Sequence, residues 1–468
     1  MQEIEKPCGN KMQEIEKPCT SYNENTVCQD TFQYCALAGA ALACSGLKDC
    51  GIIVHGSPGC GWVCRWMRSD HAIVNYVPVI SDVILEDDII FGGIKKLDES
   101  VGWGLKSWKP KVLYILQACS GSLISDPIES VIAKYEFESD IPIINIDSGG
   151  YRGLAATGVD MVFTETLKRF ARDVENPDDK SVNLIAPFLM GSSDWVFDLD
   201  EIKRLLTEMG LKINCVLTQN TSLEDIVKFN HAKRNLYLTY ENLPDFNDYE
   251  DAHDIKRIGF DIPLPIGIAN TEEWYFAVAE EFGLRKKAEE VLKRERKGLR
   301  NLNFWYNATW VMNWVSNKRV VVAGPAPWAA SFANFLYYDL ATFPEIIVLY
   351  DETENSIERA KGILTELKKD FEPIILENPL YIQVLEAIRS RPIEFAVGRN
   401  QEKMLFEGEG IAHLSLAGMQ TILGHFNFIP YPSMGYKGIL YLLSMLGRVV
   451  EGAFHEPQKW KDLKFKWT

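Results

Sequence analysis

The sequence predicts an α/β protein with mostly parallel sheets, organised as three domains. The chain has 468 residues, and a domain commonly holds about 150 residues, which gives about three domains. Short apolar strands alternate with helical stretches from about residue 28 onwards. Two polar or charged stretches, at 175–181 and 284–300, interrupt this alternation, and each leads to a new strand.

Ten stretches are predicted as β-strands because they are short, apolar and bounded by turn residues. They cover residues 51–54, 112–116, 142–146, 182–186, 213–217, 235–238, 319–322, 346–349, 373–376 and 394–397. Amphipathic periodicity predicts helices at 198–210, with Asp198 as its N-cap, and at 356–371. The apolar helix predicted at 436–452 is read as a core or subunit-contact helix rather than a membrane element.

The interruptions set the predicted domain boundaries. Residues 1–27 form a polar tail in which the sequence MQEIEKPC occurs twice, at 1–8 and 12–19. The three α/β domains are predicted at 28–178, 179–295 and 296–468.

Composition and charge exclude several classes of protein. The chain has 49 Lys and Arg against 65 Asp and Glu, which gives a net charge of −16. This surplus argues against nucleic-acid or anionic-membrane partners, because both reward clustered positive charge. The sequence has no run of 18 apolar residues and its N-terminus lacks the pattern of a secretory signal, so we expect a cytoplasmic protein.

Cysteines carry the main functional signal. Eight of the ten fall within the first 64 residues. In a reducing compartment such clustering favours metal or redox chemistry over disulfides. The repeated tail contains two of them, to which we assign no role. The eight are Cys8, Cys19, Cys28, Cys35, Cys44, Cys50, Cys60 and Cys64.

Three of these positions predict a shared site in the first domain. Cys60 follows the strand that ends at Val54, and Cys119 follows the strand that ends at Leu116. Ligands of open α/β sheets bind beyond the carboxyl ends of the strands, where both thiols would emerge. Cys35 begins an apolar run that could cross the same crevice. Thiolates are the preferred ligands of iron–sulfur clusters, so these three cysteines are the predicted ligands.

Other interpretations stay open or are weak. Any single buried Cys can be an inert small hydrophobe. Cys60 and Cys64 form a C-x₃-C pair whose thiols share a helical face only if a helix starts there, so Cys64 is a less certain ligand. The seven histidines are scattered, and His55 is interpreted as a loop residue. No G-x-x-x-x-G-K-[ST] motif is present, so the chain should not itself hydrolyse ATP in P-loop fashion.

Six segments together resemble the component 1 type proteins of nitrogenase and its relatives. They are C-A-L-A-G-A (35–40), V-H-G-S-P-G-C (54–60), S-D-V-I-L-E-D-D-I-I-F-G-G (81–93), A-C-S-G-S-L-I-S-D-P-I-E-S-V (118–131), D-S-G-G-Y-R-G (147–153) and P-S-M-G-Y-K-G (432–438). The resemblance covers nearly everything after residue 28. It implies three Rossmann-like domains and a heteromeric complex of two related subunits, a heterodimer or heterotetramer. It also implies a homodimeric ATP-dependent iron–sulfur reductase that delivers electrons to the complex.

The resemblance also assigns roles to residues. It places Cys35, Cys60 and Cys119 where the family's subunits supply thiolates to an interfacial cluster, either P-cluster-like with 8Fe or a [4Fe–4S] cluster, shared with the partner. Met434 stands where the cofactor-bearing subunit of nitrogenase has a His, and no Cys follows the strand at 235–238. The short Cys35–Cys60–Cys119 spacing and the G-Y-K-G segment look more like the beta-type subunit, and Gly150 of this chain stands roughly where that subunit can offer a Ser to its cluster.

Three functional hypotheses follow. The first is the iron–sulfur subunit of a nitrogenase-like oxidoreductase, which passes electrons to a site in the partner where a small molecule is reduced. The second is a non-catalytic scaffold for assembly of a nitrogenase-type metal cofactor, for which missing cofactor ligands would be no defect. The third is an α/β protein with inert cysteines, which predicts no iron after anaerobic purification.

Overall fold

Three parallel sheets follow one another along the chain in the computed structural model of this protein. The structure describes residues 34–70, 77–186, 195–238, 242–301, 314–351, 354–417 and 431–455. Helices cover the sheets, so the predicted α/β class is confirmed. None of the helices in these ranges combines the length and the hydrophobicity that a membrane span needs.

The first sheet has the strand order β2-β1-β3-β4, and each pair of neighbouring strands in it is parallel. Its strands are β1 (Cys50–His55), β2 (Val79–Ser81), β3 (Val112–Gln117) and β4 (Ile143–Ile146). Its helices are α1 (Ala36–Ser45), α2 (Pro58–Asp70), α3 (Glu86–Phe91), α4 (Ile94–Trp108), α5 (Cys119–Ile124), α6 (Ile128–Glu138) and α7 (Ala155–Phe170). The inner strand β1 is buried along its whole length, which explains the apolar run at 51–54 within it.

Helix α1 joins two hydrophobic cores. All ten of its residues are buried, and it packs along α7. Leu37 and Ala40 belong to the core that covers one face of the first sheet. Ala38 and Leu42 belong to a larger core that extends into the second and third sheets. The residue that begins this helix is therefore fixed to the centre of the fold.

The second sheet has the order β6-β5-β7-β8, again parallel throughout. Its strands are β5 (Ser181–Ile185), β6 (Lys212–Leu217), β7 (Arg234–Tyr237) and β8 (Lys256–Ile258). The helices here are α8 (Trp195–Met209), α9 (Leu223–Val227), α10 (Pro244–Ala252), α11 (Gly267–Glu281) and α12 (Arg285–Asn301).

The third sheet has five parallel strands in the order β11-β10-β9-β12-β13. They are β9 (Arg319–Pro325), β10 (Phe343–Tyr350), β11 (Ile374–Glu377), β12 (Phe395–Arg399) and β13 (Ala412–Ala417). The remaining helices are α13 (Ala326–Asn334), α14 (Glu354–Ile363), α15 (Leu367–Asp370), α16 (Tyr381–Ser390), α17 (Lys403–Gly408) and α18 (Gly435–His455). Helix α18 returns to pack on α11 and α8 beside the second sheet.

Each predicted strand is present, with its ends shifted by a few residues. Two helix predictions need correction. Asp198 is not an N-cap, because α8 already begins at Trp195 and Asp198 lies buried inside it. The helix expected at 356–371 is interrupted between α14 and α15. The three sheets lie within 28–178, 179–295 and 296–468, which stay our proposed domains.

Candidate functional site

The cysteine site lies at the carboxyl edge of the first sheet. β1 and β3 are neighbours in parallel register, with His55 opposite Gln117, so both strands end at the same level. Cys60 lies in the first turn of α2, directly after β1. Cys119 is the first residue of α5, directly after β3. The sheet therefore delivers both predicted ligands to one edge, as the sequence predicts.

Cys35 reaches this edge from a different direction. It is the N-cap residue of α1, and it pairs with Leu154 in an isolated antiparallel bridge. The neighbouring amide of Ala36 donates a hydrogen bond of 3.0 Å to the carbonyl of Gly153. These contacts attach the start of the buried helix α1 to the turn after β4. Cys35 thereby joins the two cysteines at the sheet edge.

Gly150 is the point where two of the thiols meet. Its backbone N–H donates to Cys119 Sγ over 3.0 Å. A Cβ atom at this position would lie 3.2 Å from Cys119 Sγ and 3.7 Å from Cys35 Sγ. Both sulfurs therefore lie beside a residue that has no side chain. This leaves a space next to the thiols that the side chain of a Ser or Ala would fill.

Burial and mutual repulsion shape the electrostatics of the site. Desolvation by burial raises the pKa of the Cys35 thiol, and the nearby Cys119 and Cys60 raise it further. The backbone amides of Ala38 and Leu37, in the first turn of α1, oppose this rise. A group that supplies positive charge would relieve the repulsion among these sulfurs, as iron does when thiolates bind it.

Cys64 lies one helical turn beyond Cys60 on α2, so a helix does start at the C-x₃-C pair. Its thiol is buried, and the proximity of Cys35 and Cys60 adds to the desolvation that raises its pKa. It is thus next to the predicted ligands but enclosed by the core.

Three further cysteines among the described residues do not line the site. Cys44, Cys50 and Cys215 are buried in the core of the first sheet, and burial raises the pKa of Cys44 and Cys215. Cys8, Cys19 and Cys28 lie outside the described residues.

The donor groups at this edge of the sheet are thiols and the backbone amide of Gly150. No three His, Cys, Asp or Glu side chains in the described ranges are arranged around a single metal ion. Cys35 and Cys119 lie beside the open backbone of Gly150, Cys60 lies close enough to Cys35 to raise the pKa of its thiol, and Cys119 is exposed at the surface. Soft thiolates with backbone amide donors are the surroundings that iron–sulfur clusters use.

His55 is a feature that the sequence interpretation missed. It ends β1 rather than lying in a loop, and it is completely buried. Its Nδ1 lies 2.5 Å from Asp82 Oδ2, and its Nε2 lies 3.2 Å from Asp126 Oδ2. The signal in the sequence is that the pair S-D occurs twice at this sheet edge, at 81–82, where β2 ends, and at 125–126, directly after α5.

An exposed apolar surface adjoins the site. We call residues 83–92, which contain α3, the apolar segment. Ile90 is 72% exposed and Phe91 is 85% exposed, and no residue of α3 is buried. Leu123, on the helix that begins at Cys119, is 69% exposed. Exposed apolar patches are typical of surfaces that bind proteins, membranes or ligands.

The P-S-M-G-Y-K-G segment lies elsewhere, at the start of α18. Met434 is buried, and its amide donates over 2.9 Å to Asp198 Oδ1. A cavity of about 310 Å³ adjoins it, with Glu201 and Lys437 in its lining. The buried Glu201 carboxylate is paired with Arg204 at 2.6 Å and Lys437 at 3.4 Å. Met434 thus packs in the core and offers no ligand of the kind that a His provides.

Comparisons with known proteins find several similar proteins. The vanadium-iron protein beta chain of nitrogenase from Trichormus variabilis is 28% identical over 364 residues, which are 72% of this chain and 74% of that protein. A subunit of the light-independent protochlorophyllide reductase from Prochlorococcus marinus is 23% identical, covering 86% of this chain and 75% of that protein. The nitrogenase iron-molybdenum cofactor biosynthesis protein NifE of Methanococcus maripaludis is 26% identical, and the match covers 58% of this chain and 56% of that protein.

The fold is similar to a solved structure of nitrogenase Cp1 at pH 6.5, with a TM-score of 0.75 at 18% identity over 93% of this chain and 95% of that chain. The family model of the nitrogenase component 1 type oxidoreductases matches residues 35–451. The match begins at Cys35 and includes all three sheets. The chain therefore belongs to the nitrogenase component 1 type oxidoreductase family.

Proposed function

We propose that this chain is the iron–sulfur subunit of a nitrogenase-like oxidoreductase complex in the cytoplasm. It would take electrons from an ATP-dependent iron–sulfur reductase and pass them through an interfacial cluster to a reduction site in a partner subunit. The observation that carries the proposal is the meeting of Cys35, Cys60 and Cys119 at one sheet edge, beside an exposed apolar surface.

The three cysteines would hold the cluster as thiolates. When bound, an iron–sulfur cluster supplies one-electron chemistry at a potential set by its surroundings. The Gly150 amide would stabilise charge on the Cys119 sulfur through its hydrogen bond. The first turns of α1 and α2 place Cys35 and Cys60 at the positive ends of two helices, which favour anionic ligands.

The exposure of Cys119 supports a cluster shared with a second subunit. Three thiolates are one fewer than the usual four of an iron–sulfur cluster, so a homologous partner would complete the ligand set. Cys119 faces solvent in this chain, and Leu123 beside it is largely exposed. A related subunit packed on this side would cover both. The cluster would then be of P-cluster type or a [4Fe–4S] cluster at the interface.

The exposed apolar segment supports a second contact, with the reductase. It projects next to the loop that carries Cys60, so a protein bound there would approach the cluster closely. The substrate would be a small molecule reduced in the partner subunit, because Met434 is a buried core residue in this chain.

An assembly scaffold for a nitrogenase-type metal cofactor is the alternative. The similarity to NifE and the absence of a His at Met434 favour it. The two functions differ in turnover. An electron-transfer subunit supports reduction that depends on ATP and reductase when its partner is present, whereas a scaffold releases its cluster to another protein without turnover.

The test is anaerobic purification of the chain with its bound partners, followed by iron and acid-labile sulfide analysis. We expect several irons per chain with matching sulfide. Cys60→Ala and Cys119→Ala should each lose most of that iron, and Cys215→Ala, a buried thiol remote from the site, should keep it. Equal iron in all four proteins would contradict the ligand assignment.

A further inference from the structure

The two ends of the apolar segment adjoin two carboxylates that face the same buried histidine. At its start, Asp82 accepts a hydrogen bond of 3.1 Å from the Gly56 amide and faces His55 Nδ1. At its end, the Gly93 amide donates over 2.7 Å to Asp126 Oδ2, the oxygen that also faces His55 Nε2. The exposed tip, with Phe91, lies between these attachments.

The same histidine adjoins the two loops that carry predicted ligands. His55 ends β1, and the chain continues from it to Cys60. The Gly56 carbonyl accepts a hydrogen bond of 2.9 Å from the Ile84 amide, which ties this loop to the apolar segment. A Cβ atom on Gly121, two residues after Cys119, would lie 2.5 Å from His55 Cδ2, so α5 packs directly on the ring.

Packing of the hydrophobic core alone does not account for the burial of His55, Asp82 and Asp126. Burying three polar side chains usually gains less stability than burying well-packed apolar ones, so such groups need another reason to be there. The backbone of Val83 next to Asp82 also has a φ of +58°, a conformation that a β-branched residue rarely adopts. Such conformations persist where surrounding contacts hold them, and they concentrate at sites that switch or bind.

We propose that His55 is a positioning residue that couples the apolar segment to the cysteine loops. A partner that presses on the segment would move Asp82 and Asp126 together, and the imidazole would carry that displacement to the loops of Cys60 and Cys119. This inference rests on the proposed function, in which the segment binds the reductase and the loops hold the cluster.

The test compares His55→Gln and Asp126→Asn with two matched controls, His231→Gln and Asp98→Asn, all in the anaerobically purified complex. Hydrogen exchange is followed at the amides of Gly56, Ile84 and Gly93, and the electron paramagnetic resonance spectrum of the reduced cluster is recorded. Iron per chain is measured in every protein.

His55→Gln should accelerate exchange at least tenfold at all three amides and change the line shape of the cluster spectrum, with iron within a fifth of the parent. Asp126→Asn should accelerate Gly93 at least tenfold and change the line shape as well. If His55→Gln does not fold, the Asp126→Asn result decides. A line shape identical to that of the parent in the folded variants, despite faster exchange, would show a purely structural role and overturn the proposal.

Failure of the two proposals can be told apart. Absence of iron from the parent protein would overturn the proposed function. The exchange measurement would then still decide the coupling: acceleration of Gly93 alone in His55→Gln, with Gly56 and Ile84 unchanged, would overturn it.

Discussion

Gly158 on α7 faces the carbonyl oxygen of Ala36 so closely that a Cβ atom at Gly158 would lie 1.8 Å from it. Ala36 is the first residue of α1 and follows Cys35. The approach of the two helices therefore fixes the position of a predicted cluster ligand, and it is possible only because Gly158 has no side chain.

We expect Gly158→Ala to push α1 away from α7 and to lower the free energy of unfolding by about 3 kcal/mol, since added volume in a packed core forces backbone shifts. Iron content should fall with it. Gly298→Ala is the matched control, because nothing lies within 4 Å of its Cβ position on α12. That variant should be about 0.5–1 kcal/mol more stable. Urea denaturation of both measures the difference, and equal stability would contradict the packing argument.

A side chain at Gly150 should impair the cluster site while leaving the fold intact. The added Cβ of Gly150→Ala would lie 3.2 Å from Cys119 Sγ and Cys35 Cβ, within the space where we place the cluster. We expect iron per chain to fall by at least half, with an unchanged circular dichroism spectrum. Gly59→Ala, adjacent to Cys60 but with open space at its Cβ, should retain the parent's iron. Full iron in Gly150→Ala would place the cluster elsewhere.

Glu250 should make stability depend on pH. Burial raises its pKa to about 7, although the side chains of Asn235, Tyr237 and Arg257 bind it and oppose the rise. The folded state therefore holds a proton that the unfolded state releases near pH 4.5, so this contribution is full below that pH and is lost as pH rises through about 7.

Between pH 5 and pH 8, the parent should lose about 2–3 kcal/mol more unfolding free energy than Glu250→Gln, which has no proton to lose. Glu224→Gln, an exposed carboxylate, is the control and should follow the parent. Urea denaturation at pH 5, 6.5 and 8 measures the three slopes. Parallel curves for the parent and Glu250→Gln would show that Glu250 does not titrate in this range.

Asp198 should stabilise the start of the last helix. Its buried carboxylate accepts hydrogen bonds from the amides of Ser433, at 2.5 Å, and Met434, at 2.9 Å. Asp198→Ala leaves these buried amides without their acceptor, so we expect a loss of about 3 kcal/mol. Asp200→Ala, on the exposed side of α8, should change stability by less than about 0.5 kcal/mol. Thermal denaturation of the two variants tests this, and equal midpoints would refute the role of Asp198.

Local pattern predicted the long buried strands well. The inner strands of a parallel sheet are covered on both faces, so a strand such as β1 carries a continuous apolar run that is easy to recognise in the sequence. It missed β2 and β8, which have three residues each and lie at sheet edges, where side chains need not be uniformly apolar. It also missed β13, an outer strand of the third sheet.

The errors at Asp198 and His55 have a different origin. Asp198 resembles a helix cap locally, but its partner Ser433 is 235 residues away in the chain. His55 is paired with Asp82 and Asp126, which come from two other loops. No periodicity within one segment reveals such pairs, whereas Cys60 and Cys119 could be placed together because parallel strands end at a common edge.

The burial of α1 bears on the order in which the protein matures. Every residue of that helix is enclosed by protein, and its C-terminal end is held to the second sheet by a hydrogen bond of 3.1 Å from Thr218 Oγ1 to the carbonyl of Ala43. None of these contacts requires iron. Cys35 should therefore be in place before any metal arrives, while Cys119 stays accessible at the surface. Folding would come first, cluster loading second, and closure of the site by the partner subunit last.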